Sequence, residues 1–458
     1  MKKVKDDVKR TLQVHSQAKV EFYGAYLKRY LRILNLSPYI KKINIYDVFC
    51  GMGIYDDGKK GSPVVAFDAI KELHESANVT TEIAMIVNDL DIKRVWRVKN
   101  YIDSNNKNYC KFHLYNQDVE QMFTQVIKEV NNSSTDCRNL VFIDPYGYKN
   151  IKKDVLYQLM ANRKTEIILF LPISHMQRFT QKAMMDSETA QYKPLRDFVF
   201  SYFDENHEIR SEKVCISAYI DYIKEALRYN ETFYATSYSI QRDQKNHFAL
   251  FFMSSHLYGF QKILEVKWEL DNEAGRGFKL ESLEPSLFQD FFVQESQNST
   301  ANKLKEILLL TLDKPKTNRE IYKFALENEF LPQHVNAVLN DWQKNNPSFK
   351  VIDLNTGLAA RKGAFYISVP NNNKYRSMYP VSKNWKKHNN LGKNLVNGMR
   401  SAGVKIYGSG SMAIDLTQTS YSTIPSVDLE VGDKRSDHSR KTLKKIAIGI
   451  GKGLNKIK

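Results

Sequence analysis

An α/β fold with a mostly parallel sheet and an antiparallel closing hairpin, then a small helical unit and a basic tail, is the fold class the sequence predicts. Three observations predict it. Between residues 43 and 171, short apolar runs alternate with amphipathic stretches. Asp243-Gln244-Lys245-Asn246 separates two further alternating runs at 234–254, as a hairpin would. Past residue 300, three helix patterns precede a turn at Asn355-Thr356-Gly357. Regular strand–helix alternation places parallel strands side by side with helices on their faces.

Residues 15–36 open the chain with one amphipathic helix, because Val20, Tyr23, Leu27, Leu31 and Leu34 recur at three- and four-residue steps. Ser37-Pro38 ends it. Strand one spans Ile43 to Phe49, and a helix follows over Val64 to Leu73 with Ser62 as N-cap and Pro63 in first position. Strands two to five fall at Glu82–Val87, Lys111–Tyr115, Leu140–Ile143 and Glu166–Leu171, with helices near 91–102, 119–131 and 152–161. Residues 174–230 break the rhythm as a helical insertion, and strands at Tyr234–Arg242 and His247–Ser254 close a domain expected over 12–290.

Residues 300–370 read as a winged helix-turn-helix. Leu304–Leu312 is its first helix, Thr317 and Glu320 stand in capping-box spacing before the second, and Pro332 opens the third. Strands at Phe349–Leu354 and Gly363–Val369 would form the wing, with Lys350, Arg361 and Lys362 as its phosphate candidates. The third helix has little basic charge, so protein docking is an equal reading for this unit. Residues 371–458 lack periodicity and read as a disordered tail. Its end, Leu443 to Ile457, forms a lysine-flanked amphipathic face that suits an anionic membrane surface or a partner, although Gly449, Gly451 and Gly453 weaken it as a helix.

With 458 residues, 42% of them hydrophobic, the chain has room for two or three domains. Its formal charge is +17, and residues 371–458 hold 17 Lys/Arg against 5 Asp/Glu, so the tail carries +12 of it. That asymmetry points to a polyanion, nucleic acid above all. Cys50, Cys110, Cys137 and Cys215 have no paired spacing, which argues against a zinc site or a disulfide framework and fits a reducing cytoplasm. The N-terminus lacks a signal-peptide core, and no apolar run is long enough to span a membrane.

The chemistry-bearing residues sit at strand ends. Asp47-Val48-Phe49-Cys50-Gly51-Met52-Gly53 follows strand one. A glycine turn there admits a nucleotide-like ligand close to the backbone. Asp47, Phe49, Gly51 and Gly53 would receive the amino-acid end of S-adenosylmethionine (SAM), with Asp47 near its amino group. Asp89, with Asp91 as the alternative, would accept from the ribose hydroxyls, and Asp118 from the adenine amine. Asp144-Pro145-Tyr146 lies where a D/N-P-P-aromatic element would position a nucleobase amine and stack on the base. The second proline is missing, and Gly147 follows. His15 and Lys19 share a helix face and could cap this cleft. Arg178 is a phosphate candidate, and Cys50 reads as small packing. The order of motifs predicts a Rossmann-like methyltransferase domain.

These residues also resemble a family. His15-Ser16-Gln17-Ala18-Lys19, the Asp47–Tyr55 turn, Gly58, Gly61-Ser62-Pro63, Asn88-Asp89, Phe142–Gly147, Phe251–His256 and Trp268 are similar to the three-Cys-motif partner proteins (TcmP) over about 12–370. That resemblance implies a SAM-dependent methyltransferase fold and a cytoplasmic protein acting with a radical-SAM-like partner that bears three cysteines. It leaves the substrate and the tail open. Three functions stay in view: methylation of a nucleobase amine in DNA or RNA, a nucleic-acid-binding scaffold that delivers the three-Cys partner, and metal-dependent hydrolysis using Asp47, Asp89 and Asp144.

Overall fold

Strands in the middle of a parallel sheet need cover on both faces, and the central strands have it. β1 (Lys42–Asp47), β4 (Cys137–Ile143) and β5 (Thr165–Leu171) are buried almost throughout. The computed structural model of the chain describes residues 12–229, 232–243, 245–271, 277–279, 302–312, 316–345, 366–369, 384–406, 412–413, 424, 426–430 and 439–456. The main sheet runs β3-β2-β1-β4-β5-β7-β6-β8, with β2 at Glu82–Asn88 and β3 at Lys111–Tyr115. β1 to β5 are parallel. β7 (Asn246–Ser254) is antiparallel to β5 and pairs with β6 (Tyr234–Asp243) as the expected hairpin; β8 (Gly277–Lys279) lies parallel to β6. This is a Rossmann-like, mostly parallel mixed sheet. Its order reverses between β1 and β4, the switch point where such sheets bind ligands beyond their carboxyl ends.

One face is covered by α1 (Val14–Leu36), α2 (Ser62–Ser76) and α9 (Leu257–Leu270). Tyr23 stacks on Phe142 of β4 at 4.3 Å, and Phe22 and Tyr26 meet Tyr238 and Phe252 of the hairpin. Each such buried aromatic contributes about 1.5–3 kcal/mol. Tyr26 also donates to Glu166 at 2.5 Å, a buried carboxylate that accepts from Ser254 Oγ at 2.7 Å as well. The other face carries α4 (Val119–Asn131), α5 (Lys153–Met160), α6 (Ile173–Met185), α7 (Lys193–Tyr202) and α8 (Ile216–Leu227). α6 to α8 are the expected insertion. Their Leu195, Phe198, Tyr202, Ile220 and Ile223 join one core with β-strand residues such as Val141 and Leu169, so the insertion is part of the sheet's cover.

Ser62 was expected to cap α2, but Gly61 takes the N-cap position and Pro63 stands in the first turn. Ser62 is turned inward and buried. α3 (Ile92–Asn105) and α4 have the side-chain caps instead: Asp91 accepts from Lys93 N at 2.9 Å, and Asp118 from Glu120 N at 3.0 Å.

The chain divides into two compact units, 1–307 with 324–331, and 308–323 with 332–458. Helix α10 spans 302–311, α11 is Asn318–Glu327 and α12 is Pro332–Asn345. Thr317 and Glu320 exchange the two bonds of a capping box, at 2.8 and 3.2 Å. The expected first wing strand, 349–354, and its phosphate candidates Lys350, Arg361 and Lys362 lie outside the described residues. Within the range of the expected second strand, β9 (Tyr366–Val369) pairs with two strands of the tail, β10 (Met412–Ala413) and β11 (Asp428–Glu430), and the described residues do not show a wing hairpin.

The tail corrects the disorder expected from residue 371. α13 (Trp385–Ser401) and α14 (Arg440–Leu454) pack on each other around Leu395, Val396, Met399, Val404 and Ile446. Glycines are the reason they can. A Cβ at Gly398 would stand 2.3 Å from Gly449 O, and one at Gly453 2.8 Å from Asn394 O. The helix face expected for a membrane surface is therefore split: Ile446 is spent on α13, and Leu443 and Leu454 stay exposed.

In the first unit, Glu329 adopts φ +65 and enters a buried ion cluster. Its carboxylate takes Lys267 Nζ at 2.9 Å and Thr236 Oγ1 at 2.9 Å, with Lys224 at 3.5 Å. Lys267 is 1% exposed, so its charge has no access to water. Glu329→Gln should cost about 3–5 kcal/mol in urea unfolding, since a buried ammonium loses its counter-charge. A cost below about 1 kcal/mol would show that the cluster is solvated.

Candidate active site

The carboxyl ends of β1, β2 and β4 are in register, Asp47 lying opposite Val87 and Phe142. The chain then turns through Gly51 at φ +60 and Gly53 at φ +71. The two glycines serve different ends. A Cβ on Gly53 would strike Val98 Cγ2 at 2.6 Å, so Gly53 lets α3 approach the turn. A Cβ on Gly51 would meet nothing within 4 Å. Gly51 therefore presents bare backbone to open space. Phe49 is placed differently from its expected role: its ring packs on the core, and its amide donates to Asp47 Oδ1 at 3.3 Å.

Asn88, the last residue of β2, ties the loops after β1 and β3 together. Its amide nitrogen donates to Val48 O at 3.3 Å and Gln117 O at 3.2 Å, its Oδ1 accepts from Gln117 N at 2.9 Å, and its carbonyl accepts from Cys50 N at 2.8 Å. Asp89 accepts from Gly51 N at 3.0 Å and Asp91 N at 2.9 Å. It lies beside the glycine turn. Asp118 caps α4 and is half-buried, while Asn116 bonds the carbonyls of Asp89 and Leu90 at 2.8 and 3.0 Å.

Beyond β4, Asp144 is ion-paired to Lys19 of α1. Pro145 O accepts from Gly147 N at 2.8 Å, and Gly147 takes φ +122, which explains a glycine after the tyrosine. Tyr146 is 69% exposed, an aromatic face open to a ligand. Arg94, which the sequence reading passed over, holds it: the guanidinium bonds the Tyr146 hydroxyl, lies 5.1 Å from its ring centre, and stands 3.8 Å from Asp89 and 3.6 Å from Asp91. An Arg three residues past a helix N-cap aspartate reaches back over the cap, and that spacing was the available signal.

Lys19 Nζ also lies 4.6 Å from the Phe170 ring centre, Phe170 stacks on Phe248 at 5.4 Å, and His15 stacks on Phe248 at 4.6 Å. Arg178 is on α6, on the side of His175, whose pKa burial lowers. Cys50 is buried, and burial raises its thiol pKa, in keeping with packing.

Burial pushes the Asp47 carboxyl up to about 7; Ser62, the Phe49 amide and Lys19 pull it down, and Asp144 pushes it further up. Its Oδ2 is buried without a hydrogen-bond partner among the described residues. Burial also raises Asp89, against the Asp91 amide, Arg94 and the Gly51 amide. The hydrolytic reading needs Asp47, Asp89 and Asp144 free to share a cation. Among the described residues no group of three His, Cys, Asp or Glu is placed to hold a metal ion.

No family model matches this chain, and no curated protein matches it. Solved structures with partial likeness include three methyltransferases. An O-methyltransferase from Bacillus cereus in complex with SAH is 11% identical, with TM-score 0.30, over 53% of this chain and 84% of that one. The O-methyltransferase TomG from Streptomyces achromogenes, in complex with SAM, is 13% identical, with TM-score 0.29, over 55% and 92%. Trm1 from Pyrococcus horikoshii, with S-adenosyl-L-methionine, is 12% identical, with TM-score 0.28, over 52% and 57%. Among the described residues no helix is long and apolar enough to cross a membrane.

A carboxyl whose folded pKa is raised destabilises the fold once the unfolded chain can ionise it. The penalty of Asp47 is absent below about pH 4, grows as pH rises to about 7, and is constant above. Asp47→Asn should therefore raise Tm over wild type at pH 8 and match it near pH 3.5. A Tm difference independent of pH would contradict the burial argument.

Proposed function

We propose that the chain is a SAM-dependent methyltransferase acting on an exocyclic nucleobase amine of DNA or RNA. The observation that carries the reading is the open space over Gly51, set between Asp47 and Asp89 and beside the Asp144-Pro145-Tyr146 segment. The residues fit the cofactor by their own chemistry. Asp47 Oδ2 is a buried acceptor suited to an ammonium group, Gly51 leaves room for a chain to pass, and Asp89 retains lone pairs for ribose hydroxyls. Asp118 would serve the adenine end. Bound there, SAM would supply an electrophilic methyl sulfonium.

The protein's part is positioning. Asp144 would accept a hydrogen bond from the target amine and direct its lone pair, and Tyr146 would stack on the base taken out of its strand. Arg94 would hold Tyr146 over the Asp89 side of the cleft. The nucleic-acid partner is supported by α13 and α14 with Lys456, which carry ten Lys/Arg and no Asp/Glu over 385–401 and 440–456. The three-Cys partner, and with it a cytoplasmic setting, rests on the sequence resemblance alone.

Methyl transfer from labelled SAM to single-stranded oligonucleotides tests the reading. Tyr146→Ala should lower kcat/KM roughly ten- to hundredfold, the value of one base stack. The SAM Kd of the variant should stay within about twofold of wild type. Equal loss of both would place Tyr146 in the cofactor site and overturn its role.

A further inference from the structure

Lys19 has no part in the mechanism above, yet it sits on the group expected to receive the target. Its ammonium is paired to Asp144, and the side chains are 9% and 22% exposed. A lysine this desolvated is costly unless something uses its charge. Its setting is rigid. Lys19 leaves α1 over the ring of Phe170 on β5, which is itself braced through Phe248 to His15. α1 is pinned further along by Tyr26 on Glu166.

The geometry points to Lys19 and Asp144 as one donor–acceptor pair that reads the edge of the target base, selecting an amine next to an unprotonated ring nitrogen, as in adenine N6 with N1 or cytosine N4 with N3. The inference rests on the methyl-transfer reading and names its substrate class. An ammonium has three donors, and Asp144 takes one. A second can go to the ring nitrogen while the carboxylate accepts from the neighbouring amine. Adenine and cytosine both show this acceptor beside an amine. Guanine shows N1–H beside its N2 amine, which sets donor against donor, and its N3 is on the sugar side. Uracil and thymine have no amine. In the transfer the methyl would pass from the sulfonium to the amine nitrogen, S-adenosylhomocysteine would leave, and the methylated amine would give its extra proton to solvent, so the carboxylate need only aim the amine.

The test uses the full chain with substrate analogues, so the folding of a variant does not decide it. Methyl transfer is measured on adenine, cytosine and guanine oligonucleotides, and on strands carrying 1-deazaadenine or 3-deazacytosine, which keep the amine and lose the ring acceptor. Binding of the same strands is measured by anisotropy with S-adenosylhomocysteine present. Wild type should methylate adenine or cytosine, and lose roughly tenfold or more on the deaza counterpart, the value of one hydrogen bond to a charged group. Lys19→Met should be slower on the natural base and show no preference over the deaza base, and Lys19→Arg should restore part of the preference. A merely structural pair would lower both rates alike and leave their ratio unchanged. Equal use of natural and deaza bases by wild type, or transfer to guanine N2 in preference, overturns the inference. If no strand is methylated, the methyl-transfer reading fails, and binding alone judges the pair: a retained preference for the natural base supports it, and equal binding overturns it.

Discussion

The buried amide of Asn88 is the constraint on which the candidate site depends. Its side chain and carbonyl hold Val48 and Cys50, in the loop after β1, and Gln117, in the loop after β3, to the end of β2. Each loop alone is short and polar, and loops of that kind are free to move. Bound to one side chain that is 2% exposed, they behave as one surface. Asp89 extends the same network to Gly51. Losing the amide would leave several buried polar groups unpaired at once, a larger cost than any single hydrogen bond here.

The second constraint comes from across the sheet. α1 precedes β1 in sequence, yet it covers the β4, β5 and hairpin strands and puts Lys19 on Asp144. The site therefore has two walls of different character. The Asp47, Gly51 and Asp89 wall is built from backbone and buried carboxylates. The Lys19, Asp144, Phe170 and Tyr146 wall is aromatic and charged. Arg94 joins them by touching both Asp89 and Tyr146. A change on one wall is thus felt by the other through one guanidinium.

The sheet was legible in the sequence because buried parallel strands carry apolar runs, such as Ile167 to Leu171, and because a polar turn marked the hairpin. Boundaries moved by a few residues at most, as at Cys137 of β4, where mixed polarity hid the strand start. Side-chain duties were less legible. Ser62 has the look of a cap, but the backbone at Gly61 takes that position and leaves the serine to face Asp47. Asp118 is a helix cap as well as a candidate contact, and sequence cannot separate the two uses of one carboxylate. The tail misled for a physical reason. Glycine lowers helix propensity by about 1 kcal/mol, so Gly449, Gly451 and Gly453 read as weak points of a helix. Tertiary packing overrides that cost where two helices approach so closely that only glycine fits.

The central claim is that the space above Gly51 receives a cofactor. Gly58 provides a matched control, since it too has positive φ, at +77, and nothing within 4 Å of a built Cβ. An alanine at either position costs about the same backbone strain, on the order of 1 kcal/mol. Calorimetric titration with SAM should show micromolar binding in wild type and in Gly58→Ala, and none in Gly51→Ala. Binding by Gly51→Ala equal to wild type, or no binding by wild type at all, would contradict the account.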